Sequence, residues 1–191
     1  MKRRFLALVL AGCLAAVLST AAWADETPTA VSAADELTAA LGNAAVTSIQ
    51  LAGNIDISST LVVTKDVTLD LNGHVLKMTG KGSVIHVKSG TLTLVDNNTS
   101  AEHKFTNGGN DKLWRLDETA GAEKVKGGVI TGGTGSTYKY NNDIGQIVYN
   151  DCGGGVFVAP GASFIMEGGN IVGCSAGTVS YTHLTLPTIR L

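Results

Sequence analysis

The stretch IDISSTLVVTKDVTLDLNGHVLKMTGKGSVIHVKSGTLTLVD, residues 55–96, decides the fold. It contains four short runs in which apolar and polar side chains alternate, and turn residues separate these runs. In the run 67–71 the first, third and fifth side chains are apolar and point to one face, because a strand alternates its side chains. Asn72-Gly73 ends that run, as a turn dipeptide does. The stretch therefore predicts consecutive short strands with no helix between them.

The apolar pattern recurs at a fixed spacing. Leu69 and Leu92 are 23 residues apart, and so are Leu71 and Leu94. A period of roughly 20 to 45 residues is typical of a solenoid, in which like residues of successive coils stack. We therefore expect Leu92 to lie over Leu69 and Leu94 over Leu71.

Two later segments continue the repeat. Residues 127–132 align with residues 168–173 at an offset of 41. Residues 155–166 echo residues 83–94, with one inserted residue. The repeat therefore extends to the region of residue 173.

A short helix is predicted before the strands. Leu37, Ala40 and Leu41 share one helical face, and Ser32 is placed to cap the free amides of the first turn. A helix this short is marginal alone, so we expect it to cover the open end of the first coil.

Two segments interrupt the period, residues 97–126 and residues 134–151. We interpret both as insertions, because a loop in a solenoid costs little chain entropy. The second carries three tyrosines that form either a sugar-stacking or docking patch or simple loop packing: Tyr138, Tyr140 and Tyr149.

Composition favours a β-rich domain with an acidic surface. Only 16% of the 191 residues are charged, and 24 are glycine, which argues against disorder. Residues 25–178 hold 10 basic and 16 acidic side chains, a net charge of −6. We find no basic patch of the kind that binds nucleic acid. The balance also argues against a polyanionic substrate such as pectate, unless calcium intervenes.

The N-terminus predicts export. Residues 1–24 have a basic start, an apolar run over 5–18 and the cleavage site Ala22-Trp23-Ala24, which together read as a signal peptide. Residues 25–32 then form a linker. A membrane anchor and a lipoprotein modified at Cys13, within Leu10-Ala11-Gly12-Cys13, are the alternatives.

The C-terminal segment 179–191 does not read as part of the domain. Residues 179–188, VSYTHLTLPT, look like a translated sequencing-adapter read-through. We therefore expect the natural chain to continue beyond Thr178, with a genuine terminal strand as the alternative.

Four motifs resemble right-handed parallel β-helix repeat proteins, and more narrowly the pectin-lyase-like, adhesin-type surface proteins of gut bacteria. They are the helix at 34–41, the strand at 67–74, and the segments 153–158 and 166–171. The resemblance covers residues 33–178. It implies an all-β, right-handed parallel β-helix with a short N-terminal capping helix. It does not fix the function, because this fold hosts lyases, hydrolases and adhesins.

The family's enzymes carry clustered aspartates with a histidine, or calcium-binding aspartates with a catalytic arginine or lysine. Neither set can be placed on this chain. His74 and His86 lack a partner carboxylate at a defined spacing and are interpreted as solvated residues. The aspartates at 66, 70 and 96 either bind calcium on the exterior or form a solvated polar face. Asn72 is interpreted as part of a structural ladder at a corner.

Arg115 is the only arginine in residues 25–178. A lyase hypothesis would place it near Asp111, Asp117 and Glu118, but a charged loop surface is the favoured interpretation. No catalytic, cofactor-binding or metal-binding residue is assigned, and no cofactor is expected.

Cys152 and Cys174 are 22 residues apart, nearly one coil. In an exported protein an even pair favours a disulfide, whereas two free thiols are the alternative.

The sequence favours a secreted or cell-surface bacterial adhesin that binds glycans or other surface polymers without catalysis. No nucleic-acid partner and no membrane span after signal cleavage are expected. One alternative is the N-terminal part of a polysaccharide lyase or glycoside hydrolase whose active site lies beyond residue 178. The other is a structural repeat of a surface filament.

Overall fold

Seventeen short strands and one helix make up the described part of the chain. A computed structural model describes residues 27–108, 113–135 and 153–175, together with the backbone of two strands at 137–141 and 147–151. The helix α1 spans Ala34–Gly42. The strands are β1 (Thr29–Val31), β2 (Ser48–Leu51), β3 (Ile55–Ile57), β4 (Leu61–Val63), β5 (Val67–Asp70), β6 (Val75–Met78), β7 (Ile85–Val87), β8 (Thr91–Val95), β9 (Glu102–Asn107), β10 (Trp114–Leu116), β11 (Glu123–Lys126), β12 (Val129–Thr131), β13 (Thr137–Asn141), β14 (Ile147–Asp151), β15 (Val156–Val158), β16 (Ser163–Met166) and β17 (Asn170–Ile171).

Three parallel sheets form the body of the molecule. Sheet A has the order β1-β2-β5-β8-β16, sheet B the order β17-β12-β6-β3, and sheet C the order β15-β7-β4. From β2 onward, successive strands belong to sheets A, B and C in a repeated order. The two insertions follow β8 and β12. Parallel neighbours need a crossover connection. Here the strands of the other two sheets supply that crossover, so the fold is all-β with parallel sheets.

The core lies between the three sheets. Alternate side chains of each strand point into it, for example Ile49 and Leu51 of β2 and Leu92 and Leu94 of β8, each at most 1% exposed. These inward side chains form one continuous cluster that also includes three side chains of α1. Burial of an aliphatic side chain stabilises a fold by roughly 1.5–3 kcal/mol, so the stacked aliphatic layers are the main source of stability.

The register differs from the 23-residue prediction. Leu69 pairs with Leu94 and Val67 pairs with Leu92, which is a spacing of 25 residues. A shift of two residues keeps every side chain on the same face, so alternation alone cannot distinguish the two registers. The expected stacking of Leu92 over Leu69 is therefore wrong, although both side chains face the core.

The other two offsets are confirmed. Ile130 pairs with Ile171, at the predicted offset of 41. Val156 pairs with Ile85 at an offset of 71, and Phe164 pairs with Leu92 at an offset of 72. The offset rises from 71 to 72 because one residue is inserted between β15 and β16.

The helix covers the first circuit of strands, as expected. Leu37, Ala40 and Leu41 are buried in the main core. The predicted cap is wrong, because Ala33 is the N-cap residue and makes no side-chain capping bond. Glu36 instead accepts hydrogen bonds from the backbone N–H of Ser32 at 2.8 Å and from its hydroxyl at 3.2 Å.

The C-terminal end of α1 binds a lysine from another part of the chain, which the sequence did not predict. The Nζ of Lys65 donates to the carbonyl oxygens of Ala40, Asn43 and Val46. Carbonyls at a helix C-terminus lack partners within the helix and favour a positive charge. Lys65 therefore ties α1 to the turn before β5.

The segment interpreted as a linker contains a strand. β1 pairs in parallel with β2 and is the edge strand of sheet A. Val31 of β1 is buried in the main core. The boundaries proposed at residues 24 and 178 lie outside the described residues and stay predictions.

The first insertion folds into a small sheet of its own, and we call residues 97–126 the arm. β9 pairs antiparallel with both β10 and β11. Phe105 of the arm is fully buried against Val129 and Val172 on the outer face of sheet B. The arm departs after Asp96 and returns at Gly127, where the Gly127 amide donates to the carbonyl of Ala101 at 2.8 Å. The prediction of an insertion at one corner is thus confirmed.

The second insertion contains an antiparallel hairpin. β13 pairs with β14 over Thr137–Asn141 and Ile147–Asp151. The side chains of Tyr138, Tyr140 and Tyr149 lie outside the description, so their patch stays a hypothesis.

Candidate binding surfaces

Asp70 is built into the corner between sheets A and B. It is 2% exposed, so the expectation of a solvated side chain is wrong here. Its carboxylate accepts hydrogen bonds from Gln50 Nε2 at 2.8 Å and from the Asn72 amide at 2.8 Å. Asn97 adds its backbone amide at 3.0 Å and its Nδ2 at 2.8 Å. Burial raises the pKa of Asp70, but these hydrogen bonds outweigh it, and the net pKa lies below its ordinary value.

The other two aspartates also bind backbone amides. Asp96 accepts from the amides of Gly73 at 2.7 Å and Gly128 at 2.8 Å, one on each carboxylate oxygen. Asp66 accepts from the amide of Thr91 at 2.8 Å. These carboxylates join neighbouring circuits of the chain. Among the described residues, no group of three histidine, cysteine, aspartate or glutamate side chains is arranged to hold a metal ion.

Asn72 has a structural contact at this corner, and the predicted ladder stays a hypothesis. Its Nδ2 donates to the carbonyl of Leu51 at 3.1 Å, and its backbone has a positive φ of 48°. One circuit earlier, Asn54 Oδ1 accepts from the amide of Val75 at 2.9 Å. Asparagine tolerates the left-handed region better than most residues, which suits it to such a corner.

The two histidines considered from sequence have different surroundings. His74 is half-buried at the same corner. His86 is only 9% exposed, so the expectation that it is solvated is wrong. It faces outward between Val62 and Phe157, and its ring lies 4.7 Å from that of Phe157. Burial, with a smaller effect from Lys88, lowers the pKa of His86.

A third histidine fastens the arm to the corner, and sequence reasoning missed it. His103 of β9 is 7% exposed. Its Nδ1 lies 2.8 Å from Glu118 Oε1, and its Nε2 lies 2.9 Å from the carbonyl oxygen of Gly73. The alternation of His103 and Phe105 within β9 was the available signal, because it places both on the inner face.

The lyase hypothesis grouped Arg115 with three acidic residues of the arm. Arg115 lies on the outer face of β10 and is exposed. Asp117 instead accepts from the turn residues Thr119 and Ala120, and Glu118 binds His103. Asp111 lies outside the described residues.

A cleft opens between the arm and sheet B. Its volume is about 360 Å³, within the range of small-molecule sites. Trp114 and Leu116 contribute apolar surface from β10, whereas Lys77 and Thr131 come from sheet B. The recess is therefore large enough for a sugar residue, and a half-buried tryptophan and two polar residues are among those that line it.

Cys174 lies near the end of the described chain. Burial raises the pKa of its thiol to about 11. Its proposed partner, Cys152, lies outside the described residues, so the disulfide stays a prediction.

Three parallel sheets around one core, with insertions at their corners, make this an all-β protein with parallel sheets. A family model for pectate lyase-like adhesive domains matches residues 28–148, and the chain belongs to that family. Searches of curated proteins and of solved structures found no match. Within the described residues, no helix has the length and apolarity that crossing a bilayer requires.

Proposed function

We propose that this protein is a non-catalytic adhesive domain of a bacterial cell surface, built as a right-handed parallel β-helix. Membership in a family of adhesive domains supports this function. The repeated order of the three sheets supports the β-helix, and crossovers between parallel strands are right-handed in nearly all proteins. The predicted signal peptide at residues 1–24 supports a secreted or surface-attached location.

The use of the corner aspartates is the observation that carries the non-catalytic part of the proposal. Asp70 accepts four hydrogen bonds and Asp96 accepts two. The donors of Gln50 and Asn97 to Asp70, and of Gly73 to Asp96, come from neighbouring circuits, whereas the amides of Asn72 and Gly128 fix the local turn and the arm junction. A carboxylate acting as a general base must instead reach a proton of the substrate. These side chains therefore serve the scaffold, which presents surfaces for binding.

We propose that the ligand is a glycan or another surface polymer. The cleft beside Trp114 gives such a ligand a recess with an aromatic wall. Aromatic rings are suited to sugar faces because they are apolar and rigid, and Trp114 is only half-buried.

The experiment is a binding assay of the purified chain on immobilised neutral and acidic polysaccharides, followed by analysis of the released products. We expect binding to at least one polysaccharide without any new unsaturated or reducing ends. Unsaturated ends would identify a lyase, and new reducing ends a hydrolase. The absence of binding to every polysaccharide of the panel would contradict the adhesive proposal.

A further inference from the structure

The arm sheet separates its side chains into two faces. The inner face carries His103, Phe105 and Val125, which lie toward sheet B. The outer face carries four basic side chains, which we call the basic face: Lys104, Arg115, Lys124 and Lys126. The faces follow from the register, because residues directly opposite each other in an antiparallel pair share a face.

The basic face contains one carboxylate among the described residues, that of Glu102. Glu102 pairs with Lys124 at 2.8 Å. A hydrogen bond and charge from Lys124, together with the charges of Lys126 and Lys104, lower the pKa of Glu102. Three lysines therefore lie near the single acid of this face, and Arg115 adds a fourth basic side chain to it, although residues 25–178 have a net charge of −6. The overall composition did not predict this local excess of positive charge.

Two lysines of this face oppose each other directly, and one of them, Lys124, also pairs with Glu102. Lys104 and Lys124 lie directly opposite each other on β9 and β11. Like charges at directly opposed strand positions destabilise a sheet. The single ion pair between Lys124 and Glu102 offsets only part of the positive charge of the basic face.

We propose that the basic face binds the anionic groups of an acidic polysaccharide, sulfated or carboxylated. This inference rests on the proposed adhesive function and specifies its ligand. The three strands give the face a width of about 10 Å, so it contacts a chain of charges rather than a single ion. The face carries no aromatic side chain in its described strands, so it lacks the stacking platform that single-stranded nucleic acid uses.

The test measures binding of the full chain to immobilised heparin, hyaluronate, neutral dextran and double-stranded DNA. We expect binding to heparin or hyaluronate, weakened about 10²-fold between ~50 and ~200 mM salt if four cations make contact. Lys124→Gln/Lys126→Gln should weaken that binding at least about tenfold at the lower salt concentration. Lys81→Gln/Lys88→Gln is the matched control, because it removes two exposed lysines elsewhere and should bind nearly as the natural protein does.

The variant Lys104→Gln tests whether binding can weaken without a loss of stability. Its binding should weaken while its melting temperature stays equal or rises, because the opposed pair of cations is removed. Equal loss of binding in the test and control pairs would overturn the basic face as the site. Stronger binding to DNA than to either acidic polysaccharide would overturn the partner class. If a neutral glycan binds and all lysine variants retain that binding, the adhesive function stands and only this inference fails.

Discussion

Asp70 joins three segments of chain through one carboxylate, and its removal should be costly. Asp70→Ala leaves donors of Gln50, Asn72 and Asn97 without their acceptor in a buried corner. We expect a loss of about 3 kcal/mol in the free energy of unfolding, measured with urea. Asp66→Ala is the control, because Asp66 is exposed and accepts a single amide, so its loss should be much smaller.

The same carboxylate predicts a dependence on acid. Burial opposes ionisation of Asp70, but its hydrogen bonds set the pKa below the ordinary value. Because the pKa of Asp70 is lowered in the folded state, its carboxylate stabilises the protein fully when the pH is above the unfolded-state pKa of about 4. This contribution disappears as the pH falls through the folded-state pKa. Urea unfolding between about pH 6 and pH 2 should show the stability advantage over Asp70→Asn shrinking below about pH 4. An advantage that stays constant over this range would contradict the assignment.

Cys174 should be a slow nucleophile. Its pKa of about 11 leaves little thiolate at neutral pH. After mild reduction, the folded chain should alkylate at Cys174 at least tenfold more slowly than the unfolded chain, as judged by peptide mass spectrometry. Omission of the reductant tests the proposed Cys152–Cys174 disulfide separately, since a paired thiol is not alkylated at all.

Sequence reasoning at the residue scale located apolar faces well and polar contacts poorly. Alternation placed Leu69 and Leu92 in the core. It gave Asp66 and Asp70 the same interpretation, although one is exposed and the other buried. The difference arises from Gln50 and Asn97, which are distant in sequence and donate only once neighbouring circuits are stacked.

At the scale of elements, α1 depends on a lysine from another circuit. Lys65→Met keeps an apolar stem but removes the ammonium that binds three carbonyl oxygens. We expect a loss of about 1–2 kcal/mol in stability and faster hydrogen exchange of the amides in α1. Lys88→Met is the control, because Lys88 is exposed and its loss should leave α1 exchange unchanged.

The strands themselves could be predicted, whereas their register could be predicted only in part. Glycine-rich signatures fixed the offset of 41 between Ile130 and Ile171, because glycines mark the corners. No such marker distinguished spacings of 23 and 25 residues between β5 and β8. β1 was missed because only one of its three side chains, Val31, is buried, whereas the equally short strands β3 and β4 each bury two.

At the scale of the whole molecule, the arm covers apolar side chains on the outer face of sheet B. Replacing residues 98–126 by a direct connection from Asn97 to Gly127 keeps the donors of Asn97 to Asp70 but would expose Val129 and Val172. Exposure of these side chains should cost about 3 kcal/mol and increase the binding of a hydrophobic dye. The circular dichroism of the remaining strands should persist. Unfolding of the entire chain would show instead that the three sheets cannot fold without the arm.

The sequence predicted where the insertions lie but not what they do. A break in the period is visible in any repeat, so residues 97–126 were recognised as an insertion. The antiparallel sheet within it depends on packing against sheet B, and the basic face depends on the register between β9 and β11. Net charge averages over both faces and therefore conceals such a surface.

The junction at Asp96 and Gly127 has a consequence for how such domains diversify. Because residues 98–126 leave and rejoin the scaffold at neighbouring points, a segment of different length and sequence can be grafted there while Asn97 keeps its hydrogen bonds to Asp70. Under the proposed role of the basic face, recombination at this junction would exchange ligand preference between relatives while the aliphatic layers remained the same. Ligand specificity would then depend on the arm, and folding on the three sheets.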